Sequence, residues 1–175
     1  MLMIRFADMK HLKLVAVAAC LSACGGNTTP TPSVAQVGGV WTGLASQSSV
    51  SSGQCSDFFV NGAESSYTLS ITQTGSTLAA TSSSQLTGIS CSYTGTAGSN
   101  TVTLNATSCT TSAYQVTCSG AARDIFLVGL SVTATISGNA MIGTAGETWN
   151  VFPRGNTTNP LGMLMVDLAF SFMHQ

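Results

Sequence analysis

From residue 37 to the C-terminus, apolar and polar residues alternate with a period of two, and short Gly-containing segments interrupt the alternation. Residues 67–72 read Tyr-Thr-Leu-Ser-Ile-Thr, a turn follows at Thr74-Gly75-Ser76, and Thr77-Leu78-Ala79-Ala80 resumes the pattern. A second copy runs over residues 92–96, turns at Gly98-Ser99-Asn100 and continues through Thr101-Val102-Thr103-Leu104-Asn105. The third is Val132-Thr133-Ala134-Thr135-Ile136, then Ser137-Gly138-Asn139, then Ala140-Met141-Ile142. Successive side chains of a strand point to opposite faces, so each copy turns Thr and Ser to water and Leu, Ile, Val or Tyr inward. Alternation flanking a short Gly loop is the signature of a hairpin. The copies recur too irregularly for a solenoid or a propeller, which leaves consecutive hairpins in one antiparallel meander. A chain of this size holds about eight to ten strands, predicting an all-β, up-and-down closed barrel, with a β-sandwich as the alternative.

Further along, Phe126-Leu127-Val128-Gly129-Leu130 is the most apolar internal run, Glu147-Thr148-Trp149-Asn150-Val151 reads as a strand with Trp149 inward, and Pro153 with residues 155–160 reads as a loop. The tail, residues 163–172, fits two patterns. As a strand it puts Leu164, Val166, Leu168, Phe170 and Phe172 on one face; as a helix it gathers Leu161, Leu164, Met165, Leu168 and Phe172 into a stripe. A barrel needs a last strand to pair with its first, and pairing hides an apolar edge that would otherwise aggregate, so a strand is expected.

The N-terminal region has no such alternation. Lys10 and Lys13 precede a short apolar core at residues 14–21, followed at once by small residues. This is the layout of a secretory signal, too short for the roughly 20 residues that span a bilayer. Leu21-Ser22-Ala23-Cys24 resembles the lipobox of bacterial lipoproteins; Val17-Ala18-Ala19-Cys20 is a poorer match. The resemblance implies that residues 1–23 are a signal peptide and that Cys24 is lipidated and becomes the N-terminus; Phe6 and Asp8, ahead of the basic pair, do not fit a signal and make Met9 the expected true start, with Met1 and Met3 as alternatives. With Gly25 rather than Asp after the cysteine, it also implies an anchor in the outer membrane. Residues 24–36, rich in Gly, Thr and Pro, read as a flexible tether, and 37–175 as the β domain.

The domain opens on Gly39-Val40-Trp41, which resembles the Gly-x-Trp opening of lipocalins and other calycin barrels. There the indole closes one end of the barrel beneath an arginine from a late strand. The resemblance implies that Trp41 packs at a barrel end with Arg123 or Arg154 over its ring.

Composition narrows the function. After Cys24 the chain has no Lys; its cations are Arg123 and Arg154, set against Asp57, Glu64, Asp124, Glu147 and Asp167. Nucleic-acid binding needs clustered Lys and Arg, so no nucleic acid is expected as partner. Four cysteines fall in the domain: Cys55, Cys91, Cys109 and Cys118. In an exported chain an even number predicts disulfides, and the bracketing of a short Thr/Ser-rich connection favours Cys55–Cys91 and Cys109–Cys118 among the three connectivities. No Cys-x-x-Cys occurs and the domain has no His before His174, so no metal and no other cofactor is expected.

A Ser-His-Asp or Cys-His mechanism lacks its imidazole, since His174 stands at a terminus. Asp57 and Glu64 are the closest carboxylate pair and read as solvated loop charges. Asp167, inside the apolar tail, would need Arg123 or Arg154 if it faced inward. The expected function is therefore a non-catalytic one: a lipid-anchored envelope module, held to the membrane by its N-terminal lipid, that binds an envelope protein, a glycan or a small apolar ligand. An inhibitor of an envelope enzyme and a carboxylate-dependent hydrolase are the alternatives.

Overall fold

The computed structural model describes residues 33–51, 53–57, 64–84, 88–110 and 112–175. The expected signal peptide, Cys24 and most of the tether lie outside them. Nine strands follow in order: β1 (Gly39–Val50), β2 (Glu64–Thr74), β3 (Thr77–Ser84), β4 (Ser90–Ala97), β5 (Thr101–Thr110), β6 (Tyr114–Cys118), β7 (Ala121–Ser137), β8 (Ala140–Pro153) and β9 (Gly162–His174). Among the described residues no helix forms.

All pairings are antiparallel, and eight of the strands close a barrel. β1 to β5 pair in sequence, β5 pairs with β7 from Thr101↔Thr135 to Asn105↔Ser131, and β7, β8, β9 and β1 complete the ring. β6 is the extra strand, paired with the first residues of β7, from Cys118↔Ala121 to Tyr114↔Ile125. The three hairpins read from the alternation are β2–β3, β4–β5 and β7–β8. The tail is a strand: β9 pairs with β1 from Trp41↔His174 to Val50↔Val166, and Leu164, Val166, Leu168, Phe170 and Phe172 all point into the barrel. This tail fills the place between β8 and β1 and so completes the ring of eight strands.

The interior is a single core that includes Leu69, Leu78, Leu104, Met141, Trp149 and Phe170. Outside, the wall is of two kinds. Ser70, Thr81, Thr94 and Thr103 cover β2 to β5, whereas β8, β9 and β1 expose Ile142, Met163, Met165, Met173, Val40 and Leu44.

Strand directions alternate around the ring, so β1 begins where β7 ends, and this separates residues that the Gly-x-Trp resemblance brings together. Trp41 lies at one end of the barrel. Arg123, at the start of β7, and Arg154, just past the end of β8, lie at the other. Neither Arg123 nor Arg154 covers the indole. Trp41 is 1% exposed; its Nε1–H donates to the Val37 carbonyl at 2.9 Å, and the His174 ring meets it edge-on at 4.8 Å between centroids. Gly39 has φ +129°, and a side chain there would run into His174, so a glycine two residues before this Trp is a steric requirement. Residues 34–37 also lie against this end: the Ala35 N–H donates to Gly98, the Val37 N–H donates to Gln73 Oε1 at 2.7 Å, and Gln73 Nε2 donates to the Ala35 carbonyl at 2.8 Å.

The disulfides join Cys55 to Cys118 and Cys91 to Cys109, not the expected Cys55–Cys91 and Cys109–Cys118. Cys91 and Cys109 face each other directly across β4 and β5. Cys109 and Cys118 are close in sequence, but β6 pairs with β7 and not with β5, which carries Cys118 away and places it against the β1–β2 connection. This connection and the β6–β7 turn each hold a non-glycine residue at positive φ, Cys55 at 69° and Ser119 at 48°. The Ser119 N–H donates to Asp57 Oδ2 at 2.6 Å, tying the same two segments a second time.

Candidate functional site

The strand alternation that fills the barrel leaves a gap among its inward side chains. A cavity of about 40 Å³ is lined by side chains from seven of the eight barrel strands, all but β5. Its walls are mostly apolar, with Leu69, Val132, Ala145, Phe170 and Phe172 buried. Tyr67, Ser82, Leu130 and Leu168 are only half-buried, so the cavity reaches toward solvent. Water-sized spaces need about 10–15 Å³ each by this measure, so about three or four small groups fit inside.

Four polar side chains reach it. The Ser82 and Tyr93 hydroxyls hydrogen-bond to each other at 2.7 Å, and the Tyr67 hydroxyl pairs with Ser84. Burial raises the pKa of both tyrosines, so each hydroxyl stays neutral. Glu147 is the fourth. It sits on β8 between Leu130 of β7 and Val166 of β9, is 8% exposed, and accepts a hydrogen bond from Trp149 Nε1 at 3.0 Å on Oε2. Burial pushes its carboxyl up to about 7, against a smaller opposite pull from the Trp149 hydrogen bond. It is thus divided between acid and carboxylate near neutral pH.

The alternation itself pointed here. Trp149 is read as inward, and a strand puts i and i+2 on one face, so Glu147 must also face inward. The general cost of burying a carboxylate argues against that placement, and only the register shows the site that tolerates it.

The other carboxylates are elsewhere. Asp57 and Glu64 are exposed and not paired with each other; Asp57 serves the Ser119 turn. Asp167 faces outward, where Oδ2 accepts from the Ser49 hydroxyl at 2.6 Å, and it takes no arginine. The arginine partner belongs instead to Asp124, 5% exposed on β7: Arg154 Nε stands 4.0 Å from Oδ1, and the Gly155 N–H donates to Oδ2 at 2.8 Å. Arg154 also hydrogen-bonds Gln115 of β6, while Arg123 donates to the Ala122 carbonyl. Among the described residues no group of three His, Cys, Asp or Glu gathers in a way that would hold a metal ion.

Comparison of the chain with protein-family models, with curated proteins and with solved structures finds no match. The eight-stranded barrel is compatible with a lipocalin-like architecture, and the likeness rests on that shape alone. The cavity, whose accessible wall is almost wholly apolar, can hold a small group, with the Glu147 carboxyl and the Tyr67 and Tyr93 phenols among its lining side chains. It presents no second carboxylate, imidazole or paired nucleophile beside Glu147 among the described residues.

Proposed function

We propose that this chain is a lipid-anchored lipoprotein of the bacterial cell envelope whose barrel is a non-catalytic binding module, with the interior cavity as its ligand site. The observation that carries the reading is the cavity itself: apolar walls with a few polar side chains among them, held by seven strands of a disulfide-stapled barrel, are features of a ligand site, here one sized for a group of a few atoms. Lipidation at Cys24 rests on the lipobox-like Leu21-Ser22-Ala23-Cys24, the basic pair before it and the tether behind it. The hydrolase alternative has one feature in its favour, since a carboxyl tuned to about 7 suits proton transfer. A glycosidase-like mechanism needs two carboxyl groups about 5–10 Å apart across a sugar, and this cavity offers one and has no room for a ring.

Two measurements on one preparation test the reading. Cells making the full chain should carry it in the membrane fraction, and Cys24→Ser should release it or leave it unprocessed. Protein isolated from those envelopes and analysed by native mass spectrometry should carry a small bound molecule that is absent from Ala145→Val, whose added methyls occupy the cavity. Retention of Cys24→Ser on membranes overturns the anchor, and an identical mass excess in Ala145→Val overturns the site.

A further inference from the structure

Glu147 has no counter-ion among the described residues. Of the cations among the described residues, Arg154 is engaged with Asp124 and Gln115, Arg123 bonds the Ala122 carbonyl, and His174 lies against Trp41 at the barrel end. No Lys follows Lys13. An acidic group enclosed among apolar side chains costs stability unless something compensates it, and Trp149 donates a hydrogen bond to Oε2. Around the remaining space stand aromatic rings, Tyr67, Tyr93, Phe170 and Phe172. Aromatic faces attract a cation and repel an anion.

We propose that the cavity takes the ammonium head of a small primary amine, with Glu147 as its counter-ion and the surrounding rings as its lining. The proposal rests on the reading of the cavity as a ligand site and names the ligand's chemistry. A space of about 40 Å³ admits the head and its first carbon, whereas a roughly 150 Å³ cavity takes a whole benzene. The alkyl remainder therefore lies along the half-buried Tyr67, Leu130 and Leu168 toward solvent. An alcohol of the same shape fits equally well but brings no charge.

The pH dependence has one source. Among the described residues, the other titratable groups facing Glu147 are Tyr67 from β2 and Tyr93 from β4, both neutral throughout the range; β1, β3, β7 and β9 present uncharged side chains to the cavity. An ammonium binds the carboxylate, so affinity rises as pH rises through the carboxyl's titration and levels off above it.

The test compares n-butylamine with 1-butanol on the purified protein, by calorimetry and by the indole N–H resonance of Trp149, one of two tryptophans in the chain. At pH 8 the amine should bind at least tenfold tighter than the alcohol. Its affinity should fall about tenfold at pH 6, where roughly a tenth of Glu147 is ionised. Glu147→Gln keeps an oxygen for Trp149 and should bring the amine down to the alcohol at both pH values. Equal binding of amine and alcohol at pH 8 overturns the ammonium preference and leaves the cavity reading standing. If neither compound binds or shifts the Trp149 resonance, both fall.

Discussion

The two ends of the barrel are closed by different means. At the Trp41 end every tie is noncovalent: a buried indole, the edge of His174, and Gln73 clamping the backbone of residues 35 and 37. At the opposite end a disulfide joins Cys55 to Cys118, and Asp57 and Asp124 each accept a backbone N–H from a neighbouring turn. The difference follows from what each segment can bury. Residues 33–41 bring Val34, Val37 and Trp41 to a compact plug, whereas of residues 51 and 53–57 only Cys55 is buried. A stretch that buries one side chain gains little from packing, and restriction of the unfolded chain stabilises it instead.

The first way to break this comparison is at the packed end. Trp41→Ala removes a large buried ring and orphans the Val37 carbonyl, and should cost about 5 kcal/mol, near the top of the range for such truncations. Chemical denaturation reads the loss, and hydrogen exchange should show residues 34–37 released. A loss under about 2 kcal/mol would mean that the plug is held by Gln73 and backbone alone.

Replacing Cys55 and Cys118 together by Ala should cost about 4 kcal/mol, from a closed loop spanning 63 residues in sequence. Exchange should rise at residues 53–57 and 119–120 and stay unchanged at 34–37. Equal loosening at both ends would show that the barrel transmits the staple's constraint along its whole length and that the ends are not independent.

Between the ends, Glu147 should make stability fall with pH. Its folded pKa, about 7, lies above the ordinary 4.5, so the folded state holds a proton that the unfolded state has released between these values. Stability from this group is therefore fully present below pH 4.5 and is lost as pH rises toward 7, by about 3 kcal/mol in total. Glu147→Gln should flatten that window and stand above the parent at pH 8. A parent whose thermal midpoint does not move between pH 5 and 8 would contradict the enclosed carboxyl.

The strand pattern, the three hairpins and the closing role of residues 163–172 were legible in the chain, because side-chain alternation and Gly-containing turns are local properties that act within a few residues. The inward face of the tail, Leu164 to Phe172 at every second position, is one such reading that the β1–β9 register bears out. What could not be read locally depends on which strands become neighbours. β6 leaves the ring to pair with β7, and this decides that Cys118 meets Cys55 and that Cys91 keeps Cys109. The direction of β7 puts Arg123 a barrel length away from Trp41, and the end of β9 brings His174, at the extreme of the chain, onto the indole instead. Glu147 lies between the two cases. Its face was determined by its spacing from Trp149, but whether a carboxyl on that face meets packed side chains or a cavity is decided by the combined volumes of seven strands, which no local stretch of sequence contains.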